Sequence, residues 1–139
     1  MPENKLTKEQ LQDRAMQAPF HQWLGFEVTG LTEEEVEFRV PWRDEFYVNT
    51  KAGYAHGGIL AALIDMAADY ALAAKLGRPY PTVDMRVDYH RAAKAGPLIA
   101  RAKIVKLGSI VAVADALIYD EDDNLLASGR GVYAVAAPK

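Results

Sequence analysis

The stretch HGGILAALID, residues 56–65, sets an imidazole and two glycines at the head of an apolar run and a carboxylate, Asp65, at its end. The first turn of a helix carries backbone N–H groups with no intrahelical acceptor, and the macrodipole adds partial positive charge there. Gly57 and Gly58 let an oxygen approach those amides, so this helix start can bind an anion or stabilise a developing oxyanion, with His56 beside it to orient or polarise the ligand. The competing reading is a plain tight loop-to-helix entry. Asp65 needs a reason of its own, because burying a charge is costly unless it is bonded. It lies eight residues after Gly57, and at 1.5 Å rise per residue the two are roughly 12 Å apart along the axis. One chain cannot aim both at one carbonyl. Their cooperation requires two antiparallel copies of the helix, a homodimer with two equivalent sites.

Asp69 follows Asp65 by four residues and shares its face, where like charges repel by a few tenths of a kcal/mol when exposed and more when buried. One of the two carboxylates should therefore be relieved. The alternative is that both mark a polar stripe or pair with arginines such as Arg78 or Arg86. Other candidates carry less chemistry. Asp120, Asp122 and Asn124 imitate the start of a calcium loop, but Leu125 stands where glycine is required and Gly131 where glutamate is, so DEDDN reads as a solvated turn. Three scattered histidines, His21, His56 and His90, show no metal-ligand spacing. No G-x-S-x-G is present, which leaves Ser109 and Ser128 as structural residues, and Trp23 and Phe26 read as core.

These residues need elements to position them. Thr7 and Gln10 have capping-box spacing, predicting a short, peripheral amphipathic helix over about residues 8–16. After Pro19 the stretch FHQWLGFEV leads into VEFRV, whose alternation is that of a half-buried strand closed by Pro41. Residues 42–55 read as a loop. Residues 57–76 are apolar almost all round, with Gly77 and Pro79 as the stop, and a helix of that kind must be wrapped. The wrapping candidates are TVDMRVDYH, LIARAKIVK, SIVAVADALIY and LLASGRGVYAVA, the last two joined by DEDDN. The order reads strand, strand, long buried helix, then three strands in a meander. Simple alternation puts Thr82 on the same strand face as Asp84, Arg86 and Asp88.

Composition bounds the whole. At 139 residues, 50% of them hydrophobic, the chain fits one domain, 1–139, with residues 1–18 as the peripheral N-terminal part. The absence of cysteine removes disulfides and thiolate zinc sites and fits a reducing compartment. MPENKLTKEQ lacks the apolar core of a signal peptide, and no charge-free apolar run is long enough to span a bilayer, so a cytoplasmic protein with no membrane partner is expected. A net charge of -3 argues against a broad nucleic-acid footprint.

The runs G-Y-A-H-G-G-x6-D (53–65) and T-V-D-M-R-V-D-Y (82–89), with K-L-G (106–108) and S-G-R (128–130), resemble the PaaI-like acyl-CoA thioesterases of the hotdog-fold superfamily, over about residues 24–136. The resemblance implies an α+β hotdog fold: a curved antiparallel sheet around one long helix, forming a homodimer joined edge to edge, or a homotetramer, with active sites between subunits. It implies Asp65 as nucleophile or as general base for water, and the Gly57 amide of the other subunit as the group that polarises the thioester carbonyl, with His56 adjacent. Thr82 matches a position whose hydroxyl helps place the water, on the subunit that supplies the carboxylate. The family often has asparagine six residues before the histidine; this chain has Thr50 there and Asn49 one place earlier, which makes Asn49 the candidate.

Gly58 and Tyr89 are further substrate-binding candidates, and Arg91 or Lys106, with Lys94 or Arg130, should form a basic patch for the phosphates of coenzyme A. Coenzyme A is part of the substrate, so neither a separate cofactor nor a metal is expected. The expected reaction is hydrolysis of an acyl-CoA to acid and free CoA. The alternatives are a non-catalytic hotdog module that binds acyl-CoA as a sensor or regulator, and an acyl-thioester hydratase or dehydratase, whose H-F-P-G signature is missing.

Overall fold

A computed structural model describes residues 3–136. Helix α1 (Lys8–Ala15) forms where its cap predicts: Thr7 Oγ1 accepts the Gln10 N–H at 3.2 Å, and the Gln10 side chain accepts the Thr7 N–H at 2.9 Å. It lies against the edge of the fold, but Leu11 and Ala15 are fully buried in the core. Part of the stretch read as leading directly into a strand is instead a second helix, α2 (Pro19–Leu24). Pro19 in its first turn and Gly25 in the left-handed region (φ +70) are the start and stop signals that mark it.

Strands β1 (Glu27–Leu31) and β2 (Val36–Val40) form a hairpin, and a 3₁₀ turn (Asp44–Phe46) opens the loop toward helix α3 (Gly57–Leu76). Four strands follow: β3 (Thr82–Tyr89), β4 (Leu98–Leu107), β5 (Val111–Tyr119) and β6 (Leu125–Ala134). Only β4, β5 and β6 make the three-strand meander; β3 crosses over to pair with β6. The result is one six-stranded antiparallel sheet in the order β1-β2-β4-β5-β6-β3, with the outer side of β3 as one of its edges.

Helix α3 packs against β2 through β6. Its close approach depends on small residues: Ala100, Ala102, Ala112, Ala114, Ala116 and Ala127 are all buried beneath it. At Gly129 the fit is tightest, since a Cβ there would lie 2.7 Å from Ile64 Cγ2 and 2.6 Å from the Arg86 carbonyl oxygen. Farther along the core, Phe26 and Phe38 stack with centroids 4.2 Å apart. One stripe of α3 is less covered than the rest. Gly58, Ala61, Ala62, Asp65 and Asp69 follow the three-to-four-residue spacing of a single face and are exposed or half-buried, whereas most of the helix is buried.

Candidate active site

The loop before α3 is tied down on both sides, with His56 N–H donating to the Phe46 carbonyl (2.7 Å) and Ala55 N–H to the Ala93 carbonyl (2.8 Å). His56 is the N-cap of α3, and its Nδ1 accepts the Gly58 N–H at 3.0 Å. The amide of Gly58, a substrate-binding candidate, therefore already has a partner within the chain. Gly57 N–H has no acceptor among the described residues, so it is the open donor at this helix start. Tyr89 packs on the same residue: its hydroxyl donates to the Gly57 carbonyl at 2.8 Å, and its ring lies so close that a Cβ on Gly57 would be 3.2 Å from Tyr89 Cζ. Tyr89 therefore holds the first turn of α3 in place.

At the other end of β3 stands the carboxylate. Asp65 Oδ1 accepts hydrogen bonds from Thr82 Oγ1 at 2.8 Å and from Tyr133 Oη at 3.0 Å. Simple alternation fails at Thr82 because β3 carries a bulge: Thr82 pairs with Tyr133 and Asp84 with Val132, leaving Val83 as an extra, exposed residue. The bulge turns Thr82 toward the helix and away from the face of Asp84, Arg86 and Asp88. Sequence reasoning missed Tyr133 altogether. A signal was present, since Gly129, Gly131 and Tyr133 lie on one face of a strand and two glycines there make room for a large side chain.

The two helix carboxylates are relieved in different ways. Asp69 Oδ1 accepts the Tyr80 backbone N–H at 2.8 Å, and its pKa is pushed up to about 7, chiefly by burial, against the pull of that hydrogen bond and with the charge of Asp65 adding to the rise. Arg86, one of the arginines of the competing reading, pairs instead with Asp88 at 2.9 Å. Arg78 lies over the Tyr80 ring, 4.2 Å from its centroid. Burial, then the neighbouring Asp65, also push the Tyr133 phenol well above the ordinary tyrosine range, so it remains a donor at neutral pH.

The remaining candidates are dispersed. Asn49 Oδ1 accepts the N–H groups of Lys51 (3.1 Å) and Ala52 (2.8 Å), which makes its oxygen the organiser of its own loop. Arg91 follows the end of β3 and binds the Asn124 side chain, while Lys106 sits in the row Lys106, Val113, Val132, Asp84 near the start of β3. The expected basic patch therefore does not assemble within one chain. Arg130 is already engaged, with both of its bonds going to Asp115 at 2.7 and 3.0 Å. Asp120 Oδ1 accepts the N–H groups of Asp122 and Asn124, the geometry of a tight turn.

A six-stranded antiparallel sheet packed on one long helix defines the hotdog class. Residues 52–127 match the family model described as Thioesterase superfamily. A Halobacterium salinarum protein provisionally named an esterase is 34% identical over 124 residues, covering 81% of this chain and 82% of that protein. The Escherichia coli medium/long-chain acyl-CoA thioesterase YigI is 26% identical over 133 residues, covering 84% of this chain and 85% of its own. A crystal structure of a protein from the thioesterase superfamily superimposes with a TM-score of 0.90 at 41% identity, covering 92% of this chain and 97% of that one. The chain belongs to the Thioesterase superfamily. Among the described residues, no helix is long and apolar enough to cross a membrane.

Proposed function

We propose that the protein hydrolyses an acyl-CoA thioester, R–CO–S–CoA plus water giving a carboxylic acid and free CoA. Asp65 either attacks the carbonyl or takes the proton of an attacking water. The observation that carries this reading is the bonding of Asp65: both neighbouring hydroxyls go to Oδ1, and Oδ2 is left without a hydrogen-bond partner among the described residues, on the open stripe of α3. Thr82, with its proton given to Asp65, keeps lone pairs that can accept from the water. Gly57 N–H supplies the donor for the carbonyl oxygen. With His56 Nδ1 serving as an acceptor, the neutral ring carries its proton on Nε2, available to the ligand.

The site is completed by a second copy of the chain. Asp65 is tied through Thr82 to the start of β3, and Gly57 through Tyr89 to its end. The outer side of β3 is a sheet edge, and two such edges joined antiparallel about a two-fold axis bring the start of one strand to the end of the other. Asp65 then meets the partner's Gly57, and Lys106 approaches the end that holds the partner's Arg91, which gathers the cations dispersed within one chain. YigI, a relative named as a medium/long-chain acyl-CoA thioesterase, supports acyl-CoA as the substrate class, and the reaction requires water but no separate cofactor. Asp65→Asn should lower kcat by about 10²- to 10⁴-fold in a thiol-release assay, while ligand binding persists. Near-normal hydrolysis by that variant would refute the assignment.

A further inference from the structure

Tyr133 is completely buried, and its hydroxyl lies 3.0 Å from both Oδ1 and the backbone carbonyl oxygen of Asp65. It is the ladder partner of Thr82, whose hydroxyl donates to the same Oδ1. Two donors on one oxygen draw the carboxylate's negative charge toward Oδ1 and fix the plane of the group, so that Oδ2 is the oxygen turned to the open stripe. The strand is shaped for this arrangement. The Tyr133 ring folds back over Gly131, where a Cβ would lie 2.6 Å from Tyr133 Cζ and closer still to the hydroxyl oxygen. Any larger residue at 131 displaces the phenol from Asp65.

We propose that Tyr133 is a positioning residue for thioester hydrolysis: with Thr82 it clamps Asp65 Oδ1 so that Oδ2 faces substrate and water, and Gly131 provides the space in which it does so. This rests on Asp65 being the reacting carboxylate. A tyrosine serving only the fold would give its single proton to the Asp65 backbone carbonyl, and its loss would change stability while leaving the pH dependence of turnover in place.

The test is thiol release by the full chain with octanoyl-, palmitoyl- and phenylacetyl-CoA. Tyr133→Phe keeps the ring over Gly131 and removes only the hydroxyl. It should lower kcat about 10- to 100-fold, the range for a lost hydrogen bond to a charged group, with KM changed by less than about twofold. The acid limb of its pH–rate profile should move to higher pH, because a carboxylate that loses a donor is protonated more readily. Thr82→Val should act in the same direction, and the double variant should depart from the product of the two single effects, as expected of groups sharing one oxygen.

A folded Tyr133→Phe with unchanged kcat and an unmoved acid limb overturns the proposal. If that variant melts below the assay temperature, Gly131→Ala decides in its place: it keeps the hydroxyl but shifts it, and an unmoved acid limb there is equally fatal. Asp65→Asn is assayed alongside. Normal hydrolysis by Asp65→Asn removes the thioesterase reading of Asp65, whereas an inactive Asp65→Asn beside a normal Tyr133→Phe removes the positioning role alone.

Discussion

Asp65 and Asp69 are one helical turn apart and of the same type, and their surroundings give them different work. Asp65, the proposed reacting group, is bonded by two hydroxyls and half-open. Asp69 is held by a backbone amide and sits near neutrality in its titration, with a pKa of about 7 against an ordinary 3.8. A carboxyl whose pKa is raised by folding binds its proton more tightly in the native state, so its contribution to stability is complete below about pH 4 and is lost as the pH climbs to about 7. Asp69→Asn keeps an acceptor for the Tyr80 N–H and has no charge to desolvate. Urea titrations at a series of pH values should show the wild type losing stability between pH 4 and 7 relative to this variant. The gap should reach at most about 4 kcal/mol above pH 7. Parallel curves for the two proteins would mean that the burial of Asp69 does not govern its titration.

Among the elements, the contact of α3 with β6 determines where the site lies. Ile64, one residue before Asp65, rests directly on Gly129, so the depth of the helix in the sheet and the reach of Asp65 to Thr82 and Tyr133 depend on the same packing. Gly129→Ala places a methyl group against Ile64 and against the Arg86 backbone, of which only the isoleucine can yield. The expected cost is about 1–3 kcal/mol in chemical denaturation, as for other overpacked cores. Turnover should fall with it, because lifting α3 lengthens both hydrogen bonds to Oδ1. A stable, fully active Gly129→Ala would show that the helix and the carboxylate can move independently.

For the molecule as a whole, the two halves of the proposed site stand at opposite ends of β3, and in the proposed dimer a partner chain joins them. Gly57→Pro tests this cleanly. Residue 57 is the first of the helix, where proline is well tolerated, and His56 already has the extended backbone (φ -58, ψ 134) that precedes proline readily. The substitution removes the N–H, and the exposed Tyr89 ring has space to give way. Asp65→Asn and Gly57→Pro should each be inactive alone. After unfolding and refolding together in equal amounts, half the dimers are mixed and each has one intact site, so about a quarter of wild-type activity should return. If none returns, both groups act within one chain.

Much of this could be read from residue order. The capping box of α1, the long apolar α3 with its glycine stop, the alternation of the strands and the pairing of a glycine-rich helix start with Asp65 are local or periodic signals, and the chain displays them directly. The 1.5 Å rise per residue already separated Gly57 from Asp65 by roughly 12 Å, so that their proposed cooperation calls for a second copy. Tertiary structure decided what depends on register and crossover. A one-residue bulge at Val83 reversed the face of Thr82, the passage of β3 to β6 made Tyr133 its neighbour, and His56 proved to hold the Gly58 amide. Those outcomes follow from strands and loops far apart in sequence meeting in space, and alternation counted within one segment carries no information about which partner it meets or where an extra residue is inserted.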